Sequence, residues 1–117
     1  MAVKLNEEAL KYAKNLIKDG KYVTGTDWSE TQPSPEEESD YLDSNDWDAY
    51  SKWFLGLNTE DSEDEKGRYE FPYGDFQKVH RSGVIAAKQR AAQYEHTEIE
   101  KAADELMDMI DKREEGD

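Results

Sequence analysis

Asp46-Trp47-Asp48-Ala49-Tyr50-Ser51-Lys52-Trp53-Phe54-Leu55-Gly56-Leu57 is the stretch on which the fold turns. At helical spacing, Trp47, Tyr50, Trp53 and Phe54 fall at i, i+3, i+6 and i+7 and share one broad face. Asn45 or Asp46 supplies an N-cap, Gly56 a stop, and Leu57 the apolar contact that often follows a C-terminal cap. This reading predicts a helix over 47–55 that carries much of the core. Two indoles and a phenyl ring buried there would contribute several kcal/mol, at about 25 cal/mol per Å².

C-terminal to it, Asn58–Lys66 reads as a polar acidic linker. In the following Gly67–Val79 segment Tyr69, Phe71 and Tyr73 alternate as in a half-buried strand. Pro72 forbids a central strand, however, and Gly74-Asp75 signals a turn. An irregular aromatic loop or a minor hairpin near 68–79 is expected. Two longer helices then follow. One covers about Val79–Glu95, with Val84, Ala87, Ala91 and Tyr94 on one face; the other opens at a capping box, Thr97 to Glu100, and carries the stripe Ile99, Ala103, Leu106 and Ile110. The short join implies an antiparallel helical hairpin. Residues 112–117 are expected to fray.

N-terminal to it, Asn6 can cap a helix whose stripe is Ala9, Ala13, Leu16 and Ile17. Leu5 and Leu10 form a hydrophobic staple, and Gly20 supplies the stop. Residues 21–34 read as a loop with a brief extended piece at Lys21–Thr24. Ser34, Pro35 and Glu37 then start a short acidic helix to about Asp43, anchored by Tyr41 and Leu42. The expected fold class is therefore mostly α. It is one domain over 1–117, with a partly mobile acidic segment at 21–45.

A chain of 117 residues suits one ordinary domain. Its hydrophobic fraction of 35% is low, yet it holds three Trp, seven Tyr and three Phe, which argues for a folded aromatic core rather than acidic disorder. There is no cysteine, which excludes disulfides and thiolate chemistry and fits a cytoplasmic protein. The first residues do not read as a signal peptide, and no apolar run is long enough to span a membrane.

The formal charge of −14 is unevenly placed: residues 26–65 hold 14 acids and one base, Lys52. Such a field repels nucleic acid and anionic lipid and attracts basic surfaces; it also serves solubility alone.

Catalytic patterns are missing. Asp61, Glu63, Asp64 and Glu65 do not follow a calcium-loop spacing, since the glycine falls one place late at Gly67. His80 and His96 lack the spacing of a zinc hydrolase, and His96 reads as a helix-terminal residue. No nucleophile elbow and no Gly-rich phosphate loop occurs. No cofactor, metal or enzymatic activity is expected. The least bland feature is a basic patch of Arg68, Lys78, Arg81, Lys88 and Arg90, with Tyr69 and Tyr73 beside it and Arg90 on a different face of its helix. Such surfaces bind phosphate and stack bases. The plainer alternative is that these bases pair with neighbouring acidic helices.

The order Trp47-x-x-Tyr50-x-x-Trp53-Phe54-Leu55-Gly56, Lys66-Gly67-Arg68-Tyr69-Glu70-Phe71-Pro72-Tyr73-Gly74-Asp75, Val79-His80-Arg81-Ser82-Gly83, Ala86-Ala87-x-x-Arg90-Ala91-x-Gln93 and Ala102-Ala103-x-x-Leu106 resembles a small module of unknown function in bacterial and phage-related proteins. In some of those chains the module accompanies a prohead (capsid maturation) protease. The resemblance covers a little over half of the chain and implies no catalytic residue. The function expected is a non-enzymatic protein-interaction module, monomeric or weakly dimeric, in a phage or prophage setting. It would dock through the acidic residues 26–65 or the Tyr69–Tyr73 segment. A nucleic-acid-binding module using the basic patch, and an acidic DNA mimic, are the alternatives.

Overall fold

The computed structural model describes residues 3–116. Of these, 59% are helical and 15% lie in strands of two sheets, so the chain is an α+β fold and the mostly α expectation is corrected. The correction starts in the decisive stretch. The expected 47–55 helix lasts little more than one turn. A short helix, α4, spans Trp47–Ser51, and the chain then opens into strand β3, Phe54–Asn58. β3 is the central strand of a three-stranded antiparallel sheet, between β1 (Val3–Leu5) and β4 (Tyr69–Pro72). Pairing on both edges outweighs the local helical spacing, because Phe54-Leu55-Gly56-Leu57 is also a short apolar run of the kind that suits a buried strand. Gly56 is not a helix stop. A Cβ there would lie 2.6 Å from Phe71 Cδ2 and 3.2 Å from Ile99 Cδ1, so the strand is kept bare where two core side chains cross it.

Asn6 fixes where the helix ends and the strand begins. It caps α1 (Glu7–Lys18) by accepting from Ala9 N–H, and its amide Nδ2 donates to the carbonyls of Ser51 at 2.9 Å and Phe54 at 3.1 Å. Its own backbone N–H donates to Leu55 O at 2.8 Å. The cap and the stripe of α1 are as the sequence reads, and Ala9, Ala13, Leu16 and Ile17 are all buried.

A second, parallel sheet pairs β2 (Tyr22–Val23) with β5 (Val79–His80). Between them in sequence lie α2 (Trp28–Thr31) and α3 (Pro35–Ser44), the latter opened by the capping box at Ser34 and Glu37. Helices α5 (Arg81–Gln93) and α6 (Thr97–Gly116) form the antiparallel hairpin, joined by three residues. α6 continues to Gly116, through most of the stretch 112–117 read above as a frayed tail; Asp117 lies outside the described residues. Pro72 sits in β4, at the edge of the sheet, where a missing N–H is tolerated. The core runs from α1 through β3 and β4 to α5 and α6.

Candidate functional site

The residues of the basic patch do not form a free cationic surface. Arg81 is held by Asp111 through two bonds, Nε–Oδ1 at 2.9 Å and Nη2–Oδ2 at 3.2 Å. Lys88 Nζ meets Asp104 Oδ1 at 2.6 Å. Both carboxylates belong to α6, and the pairings follow from the antiparallel hairpin. Arg68 donates to the Asp61 carbonyl at 2.8 Å, and Arg90 lies over the Tyr94 ring at 5.4 Å. Lys78 is exposed in the turn before β5.

The two tyrosines placed beside that patch are inside. Tyr73 is 0% exposed, stacks on Trp53 and donates its hydroxyl to Lys52 O at 2.7 Å. Burial pushes its phenol well above the ordinary range. Tyr69 is 8% exposed, stacks on Trp47, and donates its hydroxyl to Glu63 O. Neither ring offers a face for stacking a base.

The acidic residues of α3 are carried on a helix that packs against the body. α3 is fixed to the body at three points. Tyr41 stacks on Phe76 with centroids 4.4 Å apart. Lys66 Nζ donates to Ser39 Oγ at 2.7 Å and to Pro35 O at 3.1 Å. Glu38 takes a hydrogen bond from the Tyr50 hydroxyl, and its carboxyl is pushed up by burial, against the opposing pull of Lys66 and of that bond. Glu36, Glu37, Asp40 and Asp43 of the same helix are exposed. Of the 14 acids in residues 26–65, Asp48 has an ion-pair partner, Lys52, and no other such pair occurs among the described residues.

A polar chain not foreseen from the sequence joins the second sheet to the start of α5. His80 is 5% exposed. One ring nitrogen, Nε2, lies 2.8 Å from Asp75 Oδ2, and the other, Nδ1, lies 3.0 Å from Thr26 Oγ1, which is itself 3.0 Å from Ser82 Oγ. Asp75 Oδ1 accepts from the N–H groups of Gln77 and Lys78. Burial would raise the Asp75 carboxyl, but the bonds from His80 and these N–H groups outweigh it and hold it below its usual range. The order hydroxyl, imidazole, carboxylate is that of a nucleophile relay. The same bonds also satisfy both ring nitrogens of a buried histidine at the N-cap of α5. The sequence signal was Asp75 five residues before His80, and Thr26 lay too far away in the chain to be linked to it.

A groove of about 510 Å³ runs between β4 and α5. Glu70, Phe71 and Pro72 form one wall, Ala86, Ala87, Arg90 and Gln93 the other, and Trp28 and Gln32 of α2 complete the lining. Among the described residues no group of three or more His, Asp or Glu side chains is placed to hold a metal ion, and no helix is long and apolar enough to cross a membrane. Compared with known proteins, the chain matches no family model, no curated protein and no solved structure.

Proposed function

We propose that this chain is a non-enzymatic protein-interaction module that meets a basic surface of another protein through its acidic face, α3 and the turn over 59–65. The observation that carries this reading is the segregation of charge. The bases Arg81 and Lys88 are spent on internal ion pairs, whereas the exposed acids of α3 face outward without pairing. A fixed helix presents its carboxylates without a further ordering cost on binding, which favours affinity, and a field of one sign steers an oppositely charged partner. A phage or prophage setting is the one the sequence resemblance implies. Nucleic-acid binding is the weaker reading, because two of its bases, Arg81 and Lys88, are neutralised and its tyrosines are buried. A DNA mimic is the special case in which the basic partner is a DNA-binding protein.

The test is a pull-down from lysate of the source organism at low and high salt, with bound protein and nucleic acid both identified. The bait is compared with a variant carrying Glu36→Lys, Asp40→Lys and Asp43→Lys. A protein captured by the parent chain and lost from the variant supports the reading. Nucleic acid recovered by the parent, or a protein held equally by both baits, overturns it.

A further inference from the structure

We infer that the groove between β4 and α5 is a second binding site, for a short extended peptide that seats an apolar side chain beside Trp28 and a carboxylate on Arg90. Its lining includes no residue of α3 or of the 59–65 turn, and it does not depend on the acidic face.

Four observations converge. The first is dimension. The α5 wall runs from Ala86 to Gln93, roughly 10 Å at 1.5 Å per residue. That length matches about three extended residues, and the groove's 510 Å³ lies within the range of ligand sites. The paired small residues Ala86 and Ala87 leave room along the α5 wall for a side chain from outside.

The second is the built position of Trp28. Its six-membered ring packs on Gly83, where an added Cβ would come within 2.7 Å of Cζ3. A glycine in the first turn of α5 costs helix stability, and here it makes room for an indole that is only partly buried and lines the groove. Its position against α5 and beside the His80 ring, centroids 6.0 Å apart, makes it a rigid aromatic anchor of the kind that dominates interfaces.

The third is strain. Phe71, in the groove wall, is held at φ +64°, in the left-handed region that an aromatic residue rarely adopts. Strain of this kind costs on the order of 1–3 kcal/mol and gathers at ligand clamps. Its ring is locked between Gly56 and His96, so the backbone conformation is imposed by packing on the core side while the residue borders the groove on the other.

The fourth is charge. Arg81 and Lys88 of α5 are paired with α6, but Arg90 has no ion-pair partner among the described residues and lines the groove. Glu70 across the groove is likewise outside any ion pair, and the carboxamides of Gln32, Gln89 and Gln93 offer donors and acceptors suited to a peptide backbone. A guanidinium in this setting recognises a carboxylate bidentately. The chain's overall charge of −14 disfavours a poly-acidic ligand, so a single carboxylate next to an apolar residue is the chemistry that fits.

The experiment is selection of a random twelve-residue peptide library displayed on phage against the full chain. The consensus is then titrated as a fluorescein-labelled synthetic peptide by anisotropy. Enriched peptides are expected to share an apolar residue within three positions of an Asp or Glu. Arg90→Glu, a change at an exposed side chain, should weaken the labelled peptide at least tenfold, and replacing the peptide's acid by lysine should restore binding to that variant. Trp28→Ala should weaken it similarly, with the melting curve checked alongside. The triple lysine variant of α3 should bind the peptide as the parent does. No enrichment, or a consensus peptide that binds Arg90→Glu as well as the parent, overturns the site. A peptide lost only from the α3 variant overturns it too, while leaving the acidic-face reading standing.

Discussion

At the scale of single residues, Asn6 holds together parts of the chain that are distant in sequence, and Asp75 fixes the turn that leads into His80. Asn6 is 5% exposed and serves as cap donor and acceptor at once. Asn6→Ala therefore loses the cap and leaves two carbonyls without their partner. We expect a loss of about 2–3 kcal/mol, read as a shift in urea midpoint at unchanged slope. Asp75 carries a pH prediction. Its carboxyl titrates below the ordinary carboxylate range in the folded chain, because bonds from His80 and two backbone N–H groups outweigh its burial. A depressed acid contributes stability that is fully present above its unfolded pKa and is lost as pH falls through the folded one. Asp75→Asn should thus cost about 1 kcal/mol at pH 7, the side chain being a third exposed and partly screened. That deficit should shrink toward zero below about pH 4. Melting curves of both proteins from pH 3 to pH 7 check it; a deficit that stays constant over that range contradicts the ionic role.

At the scale of elements, α3 is the instructive case. Its helix-forming signals are strong, but its sequence offers little apolar surface, and Tyr41 is its principal anchor through the stack on Phe76. Tyr41→Ala should cost about 1–2 kcal/mol of global stability. It should also raise amide exchange over 35–44 well above that of α5 and α6. Equal protection of these amides in parent and variant would mean that α3 is held by something other than this stack. Helices α1, α3, α5 and α6 were legible in the sequence because caps, stops and stripes are local signals. The sheet was not. β3 was hidden because Trp47, Tyr50, Trp53 and Phe54 satisfy helical spacing, and only pairing with Val3–Leu5 and Tyr69–Pro72, far along the chain, makes Phe54–Asn58 a strand. β1 has three residues and β2 and β5 two each, too few to show a period. The same locality explains the sites. The ion pairs that neutralise Arg81 and Lys88 were open as one of two readings, whereas the groove required knowing that Glu70–Pro72 and α5 lie side by side.

At the scale of the whole molecule, charge is sorted by position. Residues 66–94 carry six of the fifteen bases and residues 95–117 the acids that neutralise two of these six across the hairpin, while residues 26–65 hold 14 acids and one base. Attraction of a partner by such a face should be sensitive to ionic strength in its association rate, which falls as salt screens the field, more than in its dissociation rate. The measurement that tests the acidic face most directly is carbodiimide crosslinking of the captured complex, followed by mass spectrometry. Crosslinks from the partner's lysines should fall on Glu36, Glu37, Asp40 and Asp43 and on the acids of 59–65. Crosslinks confined to α6, or spread evenly over the acids of the chain, would contradict a docking role for this face.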